Sequence, residues 1–191
     1  MDSVSEAIQA SIGATLSRTK KLLEELDVVA LERFIKTIIE TSNADGCLYI
    51  CGNGGSAATA SHMVNDLTVG CGAALGLRSV ALSDATASIT AISNDFGYDQ
   101  IFSRQLEVMA RPDDVVCVIS CSGNSPNLVR AVEWAKTRGI KTFGLLGFDG
   151  GKLSTLLDDF LLVATDEKDY GSVESLHMVI DHILMDYFKR G

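Results

Sequence analysis

Residues 120–127, with the sequence SCSGNSPN, combine hydroxyl groups, amides and a glycine in a pattern typical of phosphate-binding loops. They follow an apolar, strand-like segment, and Pro126 marks the first turn of a helix, where proline is favoured. Gly123 lets the backbone approach a ligand closely, and the helix start offers free N–H groups with a partial positive charge. The hydroxyl groups come from Ser120, Ser122 and Ser125. The segment predicts a phosphate site that needs no lysine, with an ordinary N-cap turn as the alternative.

A second glycine-rich segment, GNGGS, occupies residues 52–56. It lacks the lysine of G-x-x-x-x-G-K-[ST] and does not match G-x-G-x-x-G, so it does not support a nucleotide site. Its glycines permit a tight turn with exposed N–H groups, and Asn53 and Ser56 add polar groups suited to sugar hydroxyls. The two interpretations are a sugar-binding turn and a simple strand-to-helix connection.

The helix predicted after this turn places His62 and Asp66 four residues apart on one face. This spacing suits two ligands of one cation, or an acid and a base acting on one substrate. A solvated pair on the helix surface is the alternative. Further titratable groups lie on the last helix, namely Glu174, His177, Asp181 and His182. Taken alone, each histidine is more often a structural residue than a ligand.

Asn94 and Asp95 form a polar break beside Gly97, after another helix-like run. A break of this composition is typical of a helix end. By themselves these two residues carry no functional assignment.

All of these segments stand at the junctions of an alternating pattern of strands and helices. Strand-like apolar runs cover residues 47–51, 77–82, 114–120, 141–147 and 159–164. Helical periodicity covers residues 56–68, 86–93, 99–110, 126–138, 152–157 and 172–189. Two helices precede the first strand, within residues 5–26 and 27–42.

Strands rich in Val, Ile and Leu, separated by helices, predict a parallel sheet covered on both faces. The predicted fold is therefore α/β, a three-layer doubly wound sandwich around five strands, with two N-terminal helices. Ligands of such folds bind at the carboxyl ends of the strands, where GNGGS and SCSGNSPN begin. No linker or repeat divides the 191 residues, so we expect a single domain over residues 1–191.

Composition limits the classes of partner. The chain is 47% apolar and 21% charged, as in ordinary globular proteins, and its net charge is −9. This charge argues against binding to nucleic acid or to an anionic membrane. No apolar run is long enough to cross a bilayer, and the start MDSVSEAIQA lacks the features of a signal peptide.

The five cysteines include no C-x-x-C pair, and we expect them to be free thiols in a reducing compartment. A cytoplasmic location follows as the expectation.

Taken together, the motifs resemble one known family. Four segments are similar to those of sugar isomerase (SIS) domain proteins, and most resemble the bacterial phosphoheptose isomerases. They are GNGGSAATASHMVNDL, AISNDFGYDQIFSRQ, SCSGNSPNLVRAVEWAK and the C-terminal helix that carries the histidines. Their order and spacing agree with the family over nearly the whole chain.

The resemblance implies a flavodoxin-like fold in a homotetramer whose active sites are shared between subunits, with residues 1–45 as a helical arm used in oligomerisation. It implies an aldose–ketose isomerase that converts sedoheptulose 7-phosphate into D-glycero-D-manno-heptose 7-phosphate through an enediol. Residue by residue, it implies acid/base roles for Asp66 and His182. The implied zinc ligands are His62, Asp66, Glu174 and His182. The implied substrate contacts are Asn53, Gly54, Gly55, Ser56, Asn94, Asp95, Ser120, Cys121, Ser122, Ser125 and Glu174.

Several positions depart from the family pattern. Asp66 stands where glutamate is usual, Glu174 where glutamine is usual, and Cys121 where threonine is usual. Gly70 and Gly171 replace a basic residue and an aspartate. Because several of these changes fall around the sugar end of the site, an isomerase of another sugar phosphate stays open as an alternative. A second alternative is a non-catalytic SIS module that binds a sugar phosphate or a partner protein, as some family members do.

Overall fold

A five-stranded parallel sheet forms the centre of the structure, a computed structural model that describes residues 2–190, with side chains described for residues 4–72 and 75–190. The strand order is β2-β1-β3-β4-β5, and every neighbouring pair is parallel. The strands are β1 (Cys47–Gly52), β2 (Arg78–Ala81), β3 (Val115–Ser120), β4 (Lys141–Phe148) and β5 (Asp159–Ala164). This arrangement confirms the predicted doubly wound α/β fold.

Helices connect the strands and precede the first of them. They are α1 (Asp2–Glu24), α2 (Val28–Asn43), α3 (Gly55–Asn65), α4 (Gly72–Leu75), α5 (Thr86–Asp95), α6 (Ser103–Met109), α7 (Pro126–Thr137), α8 (Leu153–Leu156) and α9 (Tyr170–Arg190). Asp27 caps α2 by accepting hydrogen bonds from the backbone N–H groups of Val29 and Ala30. No helix within residues 2–190 combines the length and the apolar character that crossing a membrane requires.

Apolar side chains pack on both faces of the sheet, as expected for a buried parallel sheet. Alternate residues of β1 point to opposite sides, so Leu48 and Ile50 join one core and Tyr49 joins the other. The first core lies under α2, α3 and α9, and the second lies under α6, α7 and α8. Phe34 of α2 stacks on Phe143 of β4, with ring centroids 4.2 Å apart.

The order in which strands are added to the sheet changes sides at β1. β2 lies on one side of β1 and β3 on the other, so the connections after β1 and β3 run to opposite sides. Such a switch point leaves a crevice at the carboxyl ends of the two strands, which is where doubly wound folds bind ligands. GNGGS follows β1 and SCSGNSPN follows β3, so both motifs border this crevice.

Two helices differ from the periodicity seen in the sequence. The helix predicted over 56–68 ends as an α-helix at Asn65 and continues as a π-helical turn over Asp66–Gly70. The helix predicted over 99–110 is divided into a 3₁₀ turn at Tyr98–Gln100 and α6. Hydrophobic spacing alone does not distinguish i→i+3, i→i+4 and i→i+5 bonding within one or two turns, so neither change was visible in the pattern.

Candidate functional site

A pocket of about 320 Å³ opens at the switch point between β1 and β3. The turn after β1, the loop after β3 and the start of α9 form its walls. It is lined by Asn53, Gly54, Gly55, Ser56, Ile119, Ser120, Cys121, Ser122, Ser125, Leu128, Tyr170 and Glu174. Nine of the eleven residues predicted to contact substrate are therefore gathered in one cavity.

The loop after β3 presents hydroxyl groups to this pocket. The Ser120 hydroxyl accepts a hydrogen bond from the backbone N–H of Gly123 at 3.0 Å, which fixes the turn. Ser125 occupies the N-cap position of α7, yet its side chain makes no capping hydrogen bond. Its hydroxyl therefore remains available to a ligand, at a helix start where an anion is favoured. This geometry favours the phosphate-site interpretation over a simple N-cap turn.

Gly123 allows this loop to pack against the chain that follows β4. Its φ is +62°, and a side chain there would collide with the carbonyl oxygen of Gly150. The Gly123 carbonyl accepts a hydrogen bond from the N–H of Leu153, and Asn124 accepts one from the N–H of Lys152. The start of α8 thus braces the loop from behind.

Asn53 is held by two neighbours at the mouth of the crevice. Its side-chain amide forms a reciprocal pair with that of Asn127, at 2.8 and 2.9 Å. The Tyr98 hydroxyl donates to the Asn53 side-chain oxygen at 2.9 Å. Asn127 is buried, and its oxygen also accepts the N–H of Leu128 in the first turn of α7. These contacts link the turn after β1 to the start of α7.

Glu174 and Cys121 form the floor on the side of α9. Gly55, at the start of α3, has no side chain where the Glu174 carboxylate lies. The first turn of α3 has no side-chain cap, so this carboxylate lies near the positive end of an uncapped helix. Burial, with the nearby charge of Glu174, raises the pKa of the Cys121 thiol to about 11. Cys121 is therefore a neutral thiol at physiological pH.

A second group of functional side chains lies further along the same two helices. His62, Asp66, Asp181 and His182 each bring one ligand atom within 4.8 Å of the others. We call these four residues the His/Asp cluster. The Nε2 atoms of His62 and His182 are 3.4 Å apart, and His62 Nε2 is 3.5 Å from an Asp66 oxygen. Both imidazoles are exposed, whereas both carboxylates are buried beneath them.

Asp181 is the most deeply buried member of the cluster, with a side chain only 1% exposed. Neither of its carboxylate oxygens has a hydrogen-bond partner among the described residues. Burial raises the pKa of Asp181 to about 7, the charge of Asp66 adds to the increase, and His62 opposes it. A buried carboxylate without a partner is what a bound cation would stabilise. Two imidazoles and two carboxylates form a donor set that suits Zn²⁺.

His177 has a structural role. It is fully buried, and its Nε2–H donates to the carbonyl oxygen of Leu146 in β4. Burial lowers the pKa of this imidazole to about 4, so it is neutral near pH 7. Of the three histidines, only His62 and His182 belong to the cluster.

The structure separates three predicted residues from their expected groups. Glu174 lines the pocket and is not among the described residues that form the His/Asp cluster. Asn94 and Asp95 lie at the exposed end of α5, where the Asn94 amide donates to Asp95 at 2.8 Å, and neither lines the pocket. Their roles in binding remain predictions.

Sequence reasoning assigned no functional role to three residues that the structure places at these sites, namely Asp181, Tyr98 and Asn127. Asp181 lies between the buried Ile180 and Leu184 on α9, and an acid within an apolar stripe is a signal of a buried, compensated charge. Tyr98 and Asn127 had no such signal. Their importance depends on contacts with Asn53, 45 and 74 residues away in the chain.

Comparison with known proteins identifies the family. A family model described as the SIS domain matches residues 11–147. The chain is 40% identical over 188 residues to a phosphoheptose isomerase of Helicobacter pylori strain P12, covering 98% of this chain and 96% of that protein. It is 41% identical over 177 residues to a phosphoheptose isomerase of Trichlorobacter lovleyi, covering 92% and 89%.

Solved structures agree with this relationship. The phosphoheptose isomerase GmhA from Neisseria gonorrhoeae superposes with a TM-score of 0.87 at 32% identity, over 98% of this chain and 100% of that one. The NanR protein of Vibrio vulnificus, solved with ManNAc-6P, superposes with a TM-score of 0.69 at 15% identity and shares the fold alone. The chain therefore belongs to the SIS-domain family and, within it, to the phosphoheptose isomerases.

Proposed function

We propose that this protein isomerises sedoheptulose 7-phosphate to D-glycero-D-manno-heptose 7-phosphate. The observation that carries the proposal is the placement of a hydroxyl-lined pocket and a His/carboxylate cluster on the same pair of helices. α3 contributes Gly55 and Ser56 to the pocket and His62 to the cluster. α9 contributes Glu174 to the pocket and His182 to the cluster.

The spacing along these helices supports a substrate with its two ends far apart. Gly55 and His62 are seven residues apart, and Glu174 and His182 are eight apart, which is about 10–12 Å along a helix axis. An extended chain advances about 1.2 Å per bond, so the phosphorus and C1 of an open-chain heptose 7-phosphate lie about 10 Å apart. The phosphate in the pocket would thus leave C1 and C2 near the cluster, and the bound phosphate would hold the reacting end in place.

Asp66 and His182 are the proposed acid/base pair. The Asp66 carboxylate removes a proton from C1 of the ketose, which leaves an enediol. After this proton has exchanged with solvent, the Asp66 carboxylic acid protonates C2. The His182 imidazole moves a proton between the oxygens on C2 and C1. Asn53 and Glu174 contact the sugar hydroxyls, and Ser120, Ser122 and Ser125 hold the phosphate together with the N-terminus of α7. Asn94 and Asp95 complete the proposed sugar contacts.

We further propose that Zn²⁺ or a similar divalent ion occupies the His/Asp cluster. The unpartnered oxygens of Asp181 and the paired imidazoles of His62 and His182 fit such an ion. When bound, it would supply positive charge beside the oxygens of the enediol intermediate.

The proposed assembly is a homotetramer of single-domain chains, in which the N-terminal arm takes part. α1 carries a row of exposed apolar side chains, and such a face is typical of a contact with another chain. The row consists of Val4, Ile8, Ile12, Leu16 and Leu23. The five cysteines are free and buried, which supports the proposed cytoplasmic location.

A substrate panel tests the proposed reaction. Zinc-loaded protein is assayed with five-, six- and seven-carbon ketose phosphates, and we expect the highest kcat/KM with sedoheptulose 7-phosphate. Asp66→Asn and His182→Gln each lower kcat by about 100-fold or more. Asp186→Asn, on an exposed turn of α9, serves as the control and leaves kcat unchanged.

The panel also distinguishes the alternatives. The shorter arm of Asp66 and the thiol of Cys121 motivate a different sugar phosphate, and a higher kcat/KM with a shorter ketose phosphate would establish that reaction instead. Binding of the heptose phosphate without turnover by the zinc-loaded protein would establish a non-catalytic module.

A further inference from the structure

We infer that Asp181 is the fourth ligand of the divalent cation, together with His62, Asp66 and His182, and that Glu174 is not a ligand. Family resemblance assigns the fourth position to Glu174, so the inference changes both the metal site and the role of the pocket carboxylate. It deepens the proposed zinc site, and its test measures metal binding rather than isomerase activity.

The burial of Asp181 is the first argument. Its residue exposure is 0%, and both carboxylate oxygens lack a hydrogen-bond partner among the described residues. The nearest cationic candidate is His62, whose Nε2 lies 3.8 Å from an Asp181 oxygen, beyond hydrogen-bond distance. An uncompensated buried carboxylate destabilises the folded protein, so the retention of Asp181 in the core points to a compensating cation.

The convergence of the four side chains is the second argument. In a tetrahedral zinc site with ligand bonds of about 2.1 Å, neighbouring ligand atoms lie about 3.4 Å apart. The distances from His62 Nε2 are 3.4 Å to His182 Nε2, 3.5 Å to Asp66 Oδ2 and 3.8 Å to Asp181 Oδ2. Two Nε2 lone pairs that face each other at this distance repel unless a proton or a cation lies between them. The distances between these atoms are therefore close to those between the ligand atoms of a single metal ion.

The position of Glu174 is the third argument. It lies eight residues before His182, which is about 12 Å along the axis of α9. Its carboxylate lies against Gly55 at the uncapped start of α3, where the helix dipole already favours a negative charge. Glu174 thus has its own electrostatic partner in the sugar pocket. The carboxylate of α9 that shares the cluster with His62, Asp66 and His182 is Asp181.

Metal titration of three variants tests the inference. Protein stripped with a chelator is titrated with Zn²⁺ by calorimetry and with Co²⁺ by visible absorption. Asp181→Asn lowers the Zn²⁺ affinity by at least about 100-fold, because even the loss of an outer-shell partner costs 10–100-fold. Asp181→Asn also weakens or shifts the d–d bands of the Co²⁺ form. Glu174→Gln retains the parental affinity and spectrum, as does the exposed control Asp186→Asn.

Thermal unfolding of the same proteins guards against loss of the fold. Without metal, Asp181→Asn unfolds at or above the parental temperature, because the amide removes a buried unpaired charge. Zn²⁺ raises the unfolding temperature of the parent and of Glu174→Gln but not that of Asp181→Asn. Parental Zn²⁺ affinity in Asp181→Asn, or a large loss in Glu174→Gln, would overturn the inference. A zinc-binding protein without isomerase activity would refute the proposed reaction and leave the ligand assignment intact.

Discussion

At the residue scale, Asn127 holds the side chain of Asn53 in place through hydrogen bonds. It is buried, and its amide fixes Asn53, which faces the pocket. The hydroxyl of Tyr98, in the 3₁₀ turn before α6, donates to the same Asn53 oxygen. The two donors together set the orientation of the Asn53 amide, and therefore which of its two polar atoms faces the pocket.

Substitution of these two donors should lower turnover by disordering Asn53. Asn127→Asp keeps the acceptor for the Leu128 N–H but loses the donor to Asn53, and we expect kcat/KM to fall about tenfold, as for the loss of one buried hydrogen bond. Tyr98→Phe, which removes an exposed hydroxyl, has a smaller effect. The matched control is Tyr187→Phe on α9, whose side chain is exposed. Unchanged steady-state kinetics in both Asn127→Asp and Tyr98→Phe would show that Asn53 does not need this support.

His177 controls stability rather than chemistry. Its pKa is about 4 in the folded protein and about 6.5 in the unfolded chain, because burial disfavours the charged imidazole. Between pH 6.5 and 4 the unfolded chain binds a proton that the folded protein does not bind. The free energy of unfolding therefore falls as the pH is lowered through this range, by up to about 3 kcal/mol from this group.

Urea unfolding of the metal-free protein across pH 4–7 measures this effect. His177→Gln can still donate to the Leu146 carbonyl, but it has no group that titrates in this range. Other titrating groups, Asp181 among them, are common to both proteins, so the difference between them isolates the imidazole. We expect the variant to lose less stability on acidification than the parent. Parallel pH profiles would contradict the assignment of a buried neutral histidine.

At the scale of elements, a loop and a π-helical turn position the chemistry. The loop between β3 and α7, which is the proposed phosphate site, depends on Gly123, which combines a positive φ with close contact to Gly150. The π turn begins at Asp66 and closes with a hydrogen bond from the Cys71 N–H to the Asp66 carbonyl. Such turns insert an extra residue into a helix, and they are frequent at functional sites.

Two glycine substitutions distinguish the cost of a positive φ from the cost of the close contact between Gly123 and Gly150. Gly139 has a φ of +68° with open space around it, so Gly139→Ala costs about 1 kcal/mol of unfolding free energy. Gly123→Ala adds a collision with the Gly150 carbonyl, and we expect a cost of about 3 kcal/mol together with weaker binding of phosphate. Chemical denaturation and phosphate titration measure the two effects. Equal costs at the two positions would mean that the loop tolerates displacement from α8.

Sequence patterns predicted the elements well and their junctions less well. Five apolar runs gave five strands, because short Val/Ile/Leu-rich segments that alternate with helices are typical of a parallel sheet buried on both faces. The π turn at Asp66 was invisible, since it changes one hydrogen-bond register without changing composition. The pocket residues after β1 and β3 were predictable from the switch-point rule.

The ligand set of the cluster was harder to predict. Glu174 and Asp181 are seven residues apart and lie on the same face of α9, so the carboxylate that meets His62 depends on the position of α9 along its axis relative to α3. Tertiary packing fixes this axial position, so Glu174 and Asp181 could not be distinguished from the sequence alone.

At the scale of the whole molecule, α1 is the helix that leaves a row of large apolar side chains exposed to solvent in the single chain. It packs on α9, yet its apolar row from Val4 to Leu23 stays exposed. The members at positions 4, 8, 12 and 16 repeat every four residues, so they form one stripe along the helix. A stripe of this kind supports the proposed role of the arm in assembly.

Charge placed on this stripe should dissociate the assembly. Ile8→Glu with Ile12→Glu lowers the molar mass measured by light scattering, because two carboxylates would be buried at the contact. The matched control, Ala10→Glu with Ala14→Glu, places the same charges on the other side of α1 and keeps the parental mass. Circular dichroism verifies that both proteins remain folded. An unchanged mass for the Ile8/Ile12 variant would remove α1 from the interface.

Proton exchange with solvent tests the proposed isomerisation of sedoheptulose 7-phosphate most directly. Zinc-loaded protein is incubated with sedoheptulose 7-phosphate in D₂O and followed by ¹H NMR. An enediol pathway through Asp66 and His182 predicts formation of the heptose 7-phosphate with deuterium at C2, at least about 100-fold slower in His182→Gln. The enediol pathway would be contradicted if the zinc-loaded parent did not convert the substrate. It would also be contradicted if the product contained no deuterium and His182→Gln formed it as fast as the parent.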